Sequence, residues 1–320
     1  MATEPPRAHA ETVARRSLTL LAASLALTGA ADAAPLPHAP GCPVLPQTNV
    51  WNKRVDALPV HPSSDALVAS IGLDDHVHAD FGSGSWNGGP IGIPVTIVGS
   101  GQRRFPVRFR YADESDPGPY PIPRRVRIEG GPRADGDRHA VIVDRDRCRL
   151  FELFDLRRRA DGGWRAGSGA TWSLRRNRLR PAGWTSADAA GLPILPGLAR
   201  YSDVRRGVID HALRFTARET RRAYVYPARH FASDRTDAHL PPMGMRFRLR
   251  ADFPVAGYPR QARVVLRALQ RYGMILADNG SDWYISGAPS PRWSNDALRT
   301  LHGVTGADFV AVDTSGLRNG

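Results

Sequence analysis

His139 and Glu152 are the residues from which chemistry is most directly built. Asp144-Arg-Asp-Arg147 reads as the turn of a hairpin. With Val143 opposite Cys148, Val141 faces Leu150 and His139 faces Glu152. Asp137, His139, Glu152 and Cys148 then share one side, because side chains alternate along a strand. A carboxylate beside an imidazole fixes the ring tautomer and raises its basicity, which suits general acid–base work near neutral pH. The alternative is a cross-strand pair that only satisfies a half-buried histidine, and a three-residue turn would shift the register and break the pair. Glu129, ahead of Gly130-Gly131, makes a second scheme with Glu152: two carboxylates flanking a glycosidic bond.

His76-Val-His78-Ala-Asp80 carries a different chemistry. In an extended segment His76, His78 and Asp80 project to one side, a ligand set for zinc, or for iron with open positions. The run differs from that of metallo-β-lactamase-like hydrolases, since Phe81 stands where their last histidine falls. A surface loop with incidental histidines is the alternative, and no other cofactor is expected. Trp164, Trp172, Trp184 and Trp283 offer flat faces for sugar rings, or are simply core residues. Asp113, Glu114 and Asp116 precede Pro-Gly-Pro-Tyr120, and such acidic runs are also ordinary turns. His211 and His230 are able to converge with His139. Ser186 lacks the frame of a nucleophile elbow.

The elements that must position these groups are short. Apolar, β-rich runs cover 93–98, 105–111, 138–143, 149–154, 211–216, 223–226 and 245–249, several of them bounded by Gly, Pro or Asp. From Pro259 to Tyr272 the pattern is helical: Ala262, Val265, Leu266 and Leu269 share a face opposite Arg260, Arg263, Arg267 and Gln270. Asn279-Gly280 predicts a hairpin between 274–278 and 281–286. Ser294 caps a short helix over 295–301, and a last strand covers 309–312. The expected class is mainly β: a β-sandwich or jelly-roll-like body with a C-terminal helix-plus-hairpin element. Residues 34–50 read as a Pro-rich lead-in and 51–320 as one mostly β domain, its helix-containing part starting near 255.

The N-terminus reads as an export signal. Arg15-Arg16 precede an apolar run over 18–27, and Ala31-Asp32-Ala33 fits a signal-peptidase site. The arginine pair also resembles a twin-arginine signal. The run is too short to span a bilayer, which takes about 20 residues, and no later stretch qualifies. The expectation is a secreted or periplasmic protein cleaved near Ala33. There, Cys42 and Cys148, the two cysteines of the chain, would form a disulfide. The net charge is +13, and Lys53 is the single lysine. Such a surface attracts anions; an acidic polysaccharide or cell-wall polymer fits an exported protein. No nucleic-acid motif interleaves with the arginines, and oligomeric state is not legible.

Four blocks resemble those shared by a group of uncharacterised secreted bacterial proteins. They are 111–120 (YADESDPGPY), 136–155 with GDRH and FELFD at its ends, 180–188 (RPAGWTSAD) and 272–280 (YGMILADNG). The resemblance implies export and a common fold over most of the mature chain, without an established activity. The expected function is hydrolase or lyase action on an extracellular polysaccharide. The alternatives are a non-catalytic glycan or cell-wall binder and a metal-dependent secreted enzyme.

Overall fold

Alternating and fully apolar runs become strands here because both faces of the sheets are covered. The computed structural model of the chain describes residues 1–3 and 36–318, so the export signal beyond its first three residues lies outside the described residues. Ten strands build two main sheets: β1 (His78–Asp80), β2 (Val95–Val98), β3 (Ala140–Asp144), β4 (Arg149–Leu153), β5 (Gly169–Ser173), β6 (Leu213–Ala217), β7 (Arg246–Leu249), β8 (Met274–Asn279), β9 (Tyr284–Ser286) and β10 (Phe309–Ala311). The larger sheet runs β1-β9-β6-β8-β7-β10 and the smaller β5-β4-β3-β2. Both are mixed: β1 with β9, β6 with β8, and β2 with β3 are parallel, and the other neighbours are antiparallel. Three further sheets hold two or three short strands each. Residues 36–318 belong to one compact unit, mainly β, with the short C-terminal helix in place.

Strand alternation decides what each sheet face carries. In β6, Leu213, Phe215 and Ala217 enter a core with Phe247, Trp283 and Phe309, while Arg214 leaves on the other face. Helix α1 (Arg260–Arg271) adds Ala262, Val265, Leu266 and Leu269 to that core, as its periodicity predicts. In the smaller sheet, Val141, Val143 and Leu150 face a core that includes Cys42 and Cys148. Ala140, Ile142, Phe151 and Leu153 face another, with Tyr120 and Trp164.

Cys42 and Cys148 are joined by a disulfide, their Cα atoms 5.2 Å apart across a sequence separation of 106. Closing so long a loop stabilises the folded chain by about 4–5 kcal/mol on a chain-entropy account. The lead-in is thereby stapled down, with Leu36, Ala39 and Val44 buried against β3 and β4. The bond is compatible with an extracellular or periplasmic location. No helix among the described residues is long and apolar enough to cross a membrane.

The hairpin expected at Asn279-Gly280 does not form. β6 enters from some sixty residues upstream and separates β8 from β9. Gly280 instead donates its N–H to Ala217, at the end of that inserted strand.

Candidate active site

A one-residue irregularity creates the site. Leu213, Arg214 and Phe215 pair with Met274, Ile275 and Leu276, but Thr216 then pairs with Asp278. The extra residue in β8 flips the alternation. Asp278 consequently shares the face of Arg214 and Thr216, instead of pointing with Ala217 into the core. Parallel pairing of Asp80 with Ser286 brings two more polar side chains to this face.

Arg214 is the hub. Its Nε and Nη2 donate to both Asp188 oxygens at 2.6–3.1 Å, Nη2 reaches Asp278 at 3.0 Å, and Nη1 reaches the Ser286 hydroxyl at 2.6 Å. Burial opposes the charge of Arg214, but Asp188 outweighs it and raises its pKa further. Asp278 moves the other way for a carboxyl. Burial first and then the Asp188 charge hold it well above the usual carboxylate range, overcoming Arg214, and hydrogen bonding to Asp188 acts in the same direction. Asp278 thus retains a proton that it can give away.

The other wall comes from the chain entering β3. His139 is buried, its Nδ1 2.6 Å from Glu129 Oε2 and its Nε2 3.0 Å from the Ala187 carbonyl. With acceptors on both sides, both ring nitrogens donate, which is the charged form. Burial works against that charge, but the Glu129 carboxylate wins and lifts His139 to about 10. In return the His139 charge and hydrogen bond lower Glu129 despite burial. The side chain of Glu129 is 23% exposed, so the ionised carboxylate is open to solvent. Asp80 and Asp137 are reached by solvent as well. Asp80 is nevertheless surrounded by protein, and this burial, reinforced by the Glu129 charge, raises its pKa.

Of these groups, Asp137, Asp188 and Asp278 border a cavity of about 420 Å³, which Tyr111, Glu114 and His230 also line. One oxygen each of Asp137 and Asp278 and a nitrogen of His139 all lie within 4.8 Å of one another. This is the single group of potential metal ligands that converges among the described residues. It does not suit a metal through His139, because a doubly donating imidazolium has no lone pair to give. His76, His78 and Asp80 do not converge as ligands. His78 instead stacks on Tyr284 and meets His302 at 3.0 Å, and Asp80 turns to the acidic cleft.

The expected pairing of His139 with Glu152 is corrected. The turn falls one residue later than expected, at Arg145 to Cys148, because Asp144 pairs with Arg149, so Val143 faces Leu150 and Glu152 faces Val141. Glu152 is sealed in the core, where its carboxyl accepts the N–H groups of Ile194 and Leu195 at 2.9–3.0 Å. Burial pushes its pKa up to about 7 against those bonds. His139 is likewise sealed, so it positions and ionises Glu129 and does not touch substrate. Of the four tryptophans, Trp164, Trp172 and Trp283 are buried. Trp184 is half-buried with the Arg180 guanidinium 5.4 Å from its ring centre. None presents a free sugar platform. His230 does reach the cleft, with Nε2 3.6 Å from Glu114, whereas His211 is buried beside Asp203. Arg214, Asp188 and Asp278 had no motif to announce them. The one local signal was a charge in the middle of an apolar strand.

Glu152 has a testable structural role. An acid whose folded pKa is raised holds extra protons when folded, so it lowers stability as pH rises from about 4.5 to about 7. Glu152→Gln should flatten that part of a stability-against-pH curve. Glu152→Ala should cost about 1–3 kcal/mol for each N–H left without an acceptor. Urea titrations between pH 4 and 8 check both, and folded variants should keep their activity.

No protein-family model, curated protein or solved structure matches the chain.

Proposed function

We propose that the chain is an exported glycoside hydrolase that cleaves an extracellular polysaccharide in this cleft. The observation that carries the reading is Asp278, a carboxyl kept protonated within 4.8 Å of an exposed second carboxyl, Asp137. Pairs of carboxyls with unlike environments supply the acid and the base of glycoside cleavage. Asp278 protonates the leaving oxygen. Asp137 attacks the anomeric carbon from the opposite face and is later displaced by water that Asp278, now a base, deprotonates. Glu129, held ionised by His139, stabilises the positive charge that develops on the sugar ring. The short approach of the two carboxyls favours retention, since inverting enzymes separate theirs by about 6.5–9.5 Å to admit a water. Secretion, the sandwich-like arrangement of the body and membership of the secreted bacterial group belong to the same proposal.

Purified protein incubated with a panel of neutral and acidic polysaccharides tests it. New reducing ends with retained anomeric configuration are expected. Unsaturated ends would replace hydrolase by lyase. Binding without any product would leave a glycan binder, and activity abolished by chelator would restore the metal-dependent alternative.

A further inference from the structure

A larger cavity, about 770 Å³, lies elsewhere and carries the opposite charge. Arg147, Arg149, Arg175, Arg176, Arg178 and Arg180 line it, joined by Arg104, against one acidic lining residue, Asp116. Asp116 takes Arg180 at 2.9 Å, and the buried Asp144 takes Arg104 and Arg147 at 3.2 and 3.4 Å. Arg149, Arg175, Arg176 and Arg178 have no carboxylate within ion-pair distance among the described residues, and all four are exposed. They project from β4 and from the segment following β5, one edge of the smaller sheet.

Two residues that line the groove, Arg180 and Trp172, are 5% and 7% exposed and carry donors without a protein acceptor, Nε and Nε1. The aromatic faces are already covered by guanidinium groups. Arg104 and Arg149 lie over Phe151 at 5.1 and 6.0 Å, and Arg180 lies over Trp172 and Trp184 at 5.7 and 5.4 Å. A groove that offers cations and no free ring recognises charge, not stacked bases or neutral sugar faces. Arg104, Arg147 and Arg180 each already pair with a carboxylate, a group that guanidinium recognises well.

We propose that this groove binds a polyuronate, a polysaccharide with a carboxylate on each sugar. The choice of a glycan rests on the hydrolase reading, but binding does not require the cleft to be catalytic. The groove and the acidic cleft are lined by neighbouring stretches of the chain. Glu114 and Asp188 line the cleft, while Asp116 to Pro119 and Gly191 to Pro193, a few residues on, line the groove. The groove's charges hold an anionic chain that the acidic cleft alone would repel.

The test is calorimetric binding of polygalacturonate oligosaccharides to the cleavage-disabled Asp278→Asn protein, with and without Arg176→Ala plus Arg178→Ala. Both arginines are exposed, so folding should survive, and circular dichroism checks it; Arg149→Ala is the second variant. The removal of two charge-assisted contacts should weaken binding by about tenfold or more, and added salt should weaken the unmodified groove most. Neutral oligosaccharides of equal length should not bind. Unchanged affinity in both variants, or equal binding of neutral oligosaccharide, overturns the proposal. So does tighter binding of sulfated glycan or single-stranded DNA. Binding that persists when the wild-type protein shows no cleavage sinks the hydrolase reading alone.

Discussion

Asp278→Asn is expected to lower turnover by about 100- to 10,000-fold, the usual contribution of a general acid. The substitution is close to isosteric. Its amide can still donate to Asp188 and accept from Arg214, and what it loses is one acceptor for the Asn279 N–H, which the native carboxyl also receives at 2.9 Å. Stability should change little, and a large loss would instead assign Asp278 a structural role. The pH profile separates the two more sharply. Because burial and Asp188 raise the Asp278 pKa, the acid form persists into a range where ordinary carboxyls are ionised. Wild-type activity should fall as pH rises through that raised pKa, and the residual activity of Asp278→Asn should lack this alkaline limb. A limb that remains would show that another group delivers the proton.

What the sequence made legible follows the range of each interaction. Local patterns sufficed for the seven strand-forming runs between 93 and 249, for α1 and for the Ser294 cap, whose hydroxyl accepts the Ala297 N–H at 3.2 Å. The cysteine pair was legible because two cysteines allow one bridge. Register was not, since a turn placed one residue later moved Glu152 from His139 to Val141. Asn279-Gly280 misled for a related reason: its local hairpin preference yielded to β6, whose Phe215 buries against Phe247 and Trp283. Reading Asp278 as the last residue of a hairpin strand concealed the acid. Glu129 was found, but its partner is His139, ten residues on, and not Glu152. The four sequence blocks bring Glu114, Asp137, Asp188 and Asp278 to one cavity, a convergence that only long-range pairing can produce.

Removing Asp188 should have the largest effect on the fold. Asp188 is fully buried and receives three hydrogen bonds from Arg214. In Asp188→Ala a buried guanidinium loses its main counter-charge, and breaking such a pair on one side costs about 3–5 kcal/mol. Ser286 and Asp278 remain as partners, but Asp278 can balance Arg214 only by ionising. That coupling gives the less disruptive Asp188→Asn its own signature. Without the Asp188 charge, Asp278 loses a cause of its raised pKa and keeps the stabilising Arg214, so its pKa falls. The alkaline limb of the activity profile should therefore shift to lower pH, while chemical denaturation reports a smaller stability loss than for alanine. An unmoved limb in folded Asp188→Asn would mean that Asp188 only braces Arg214 and does not set the proton affinity of the acid.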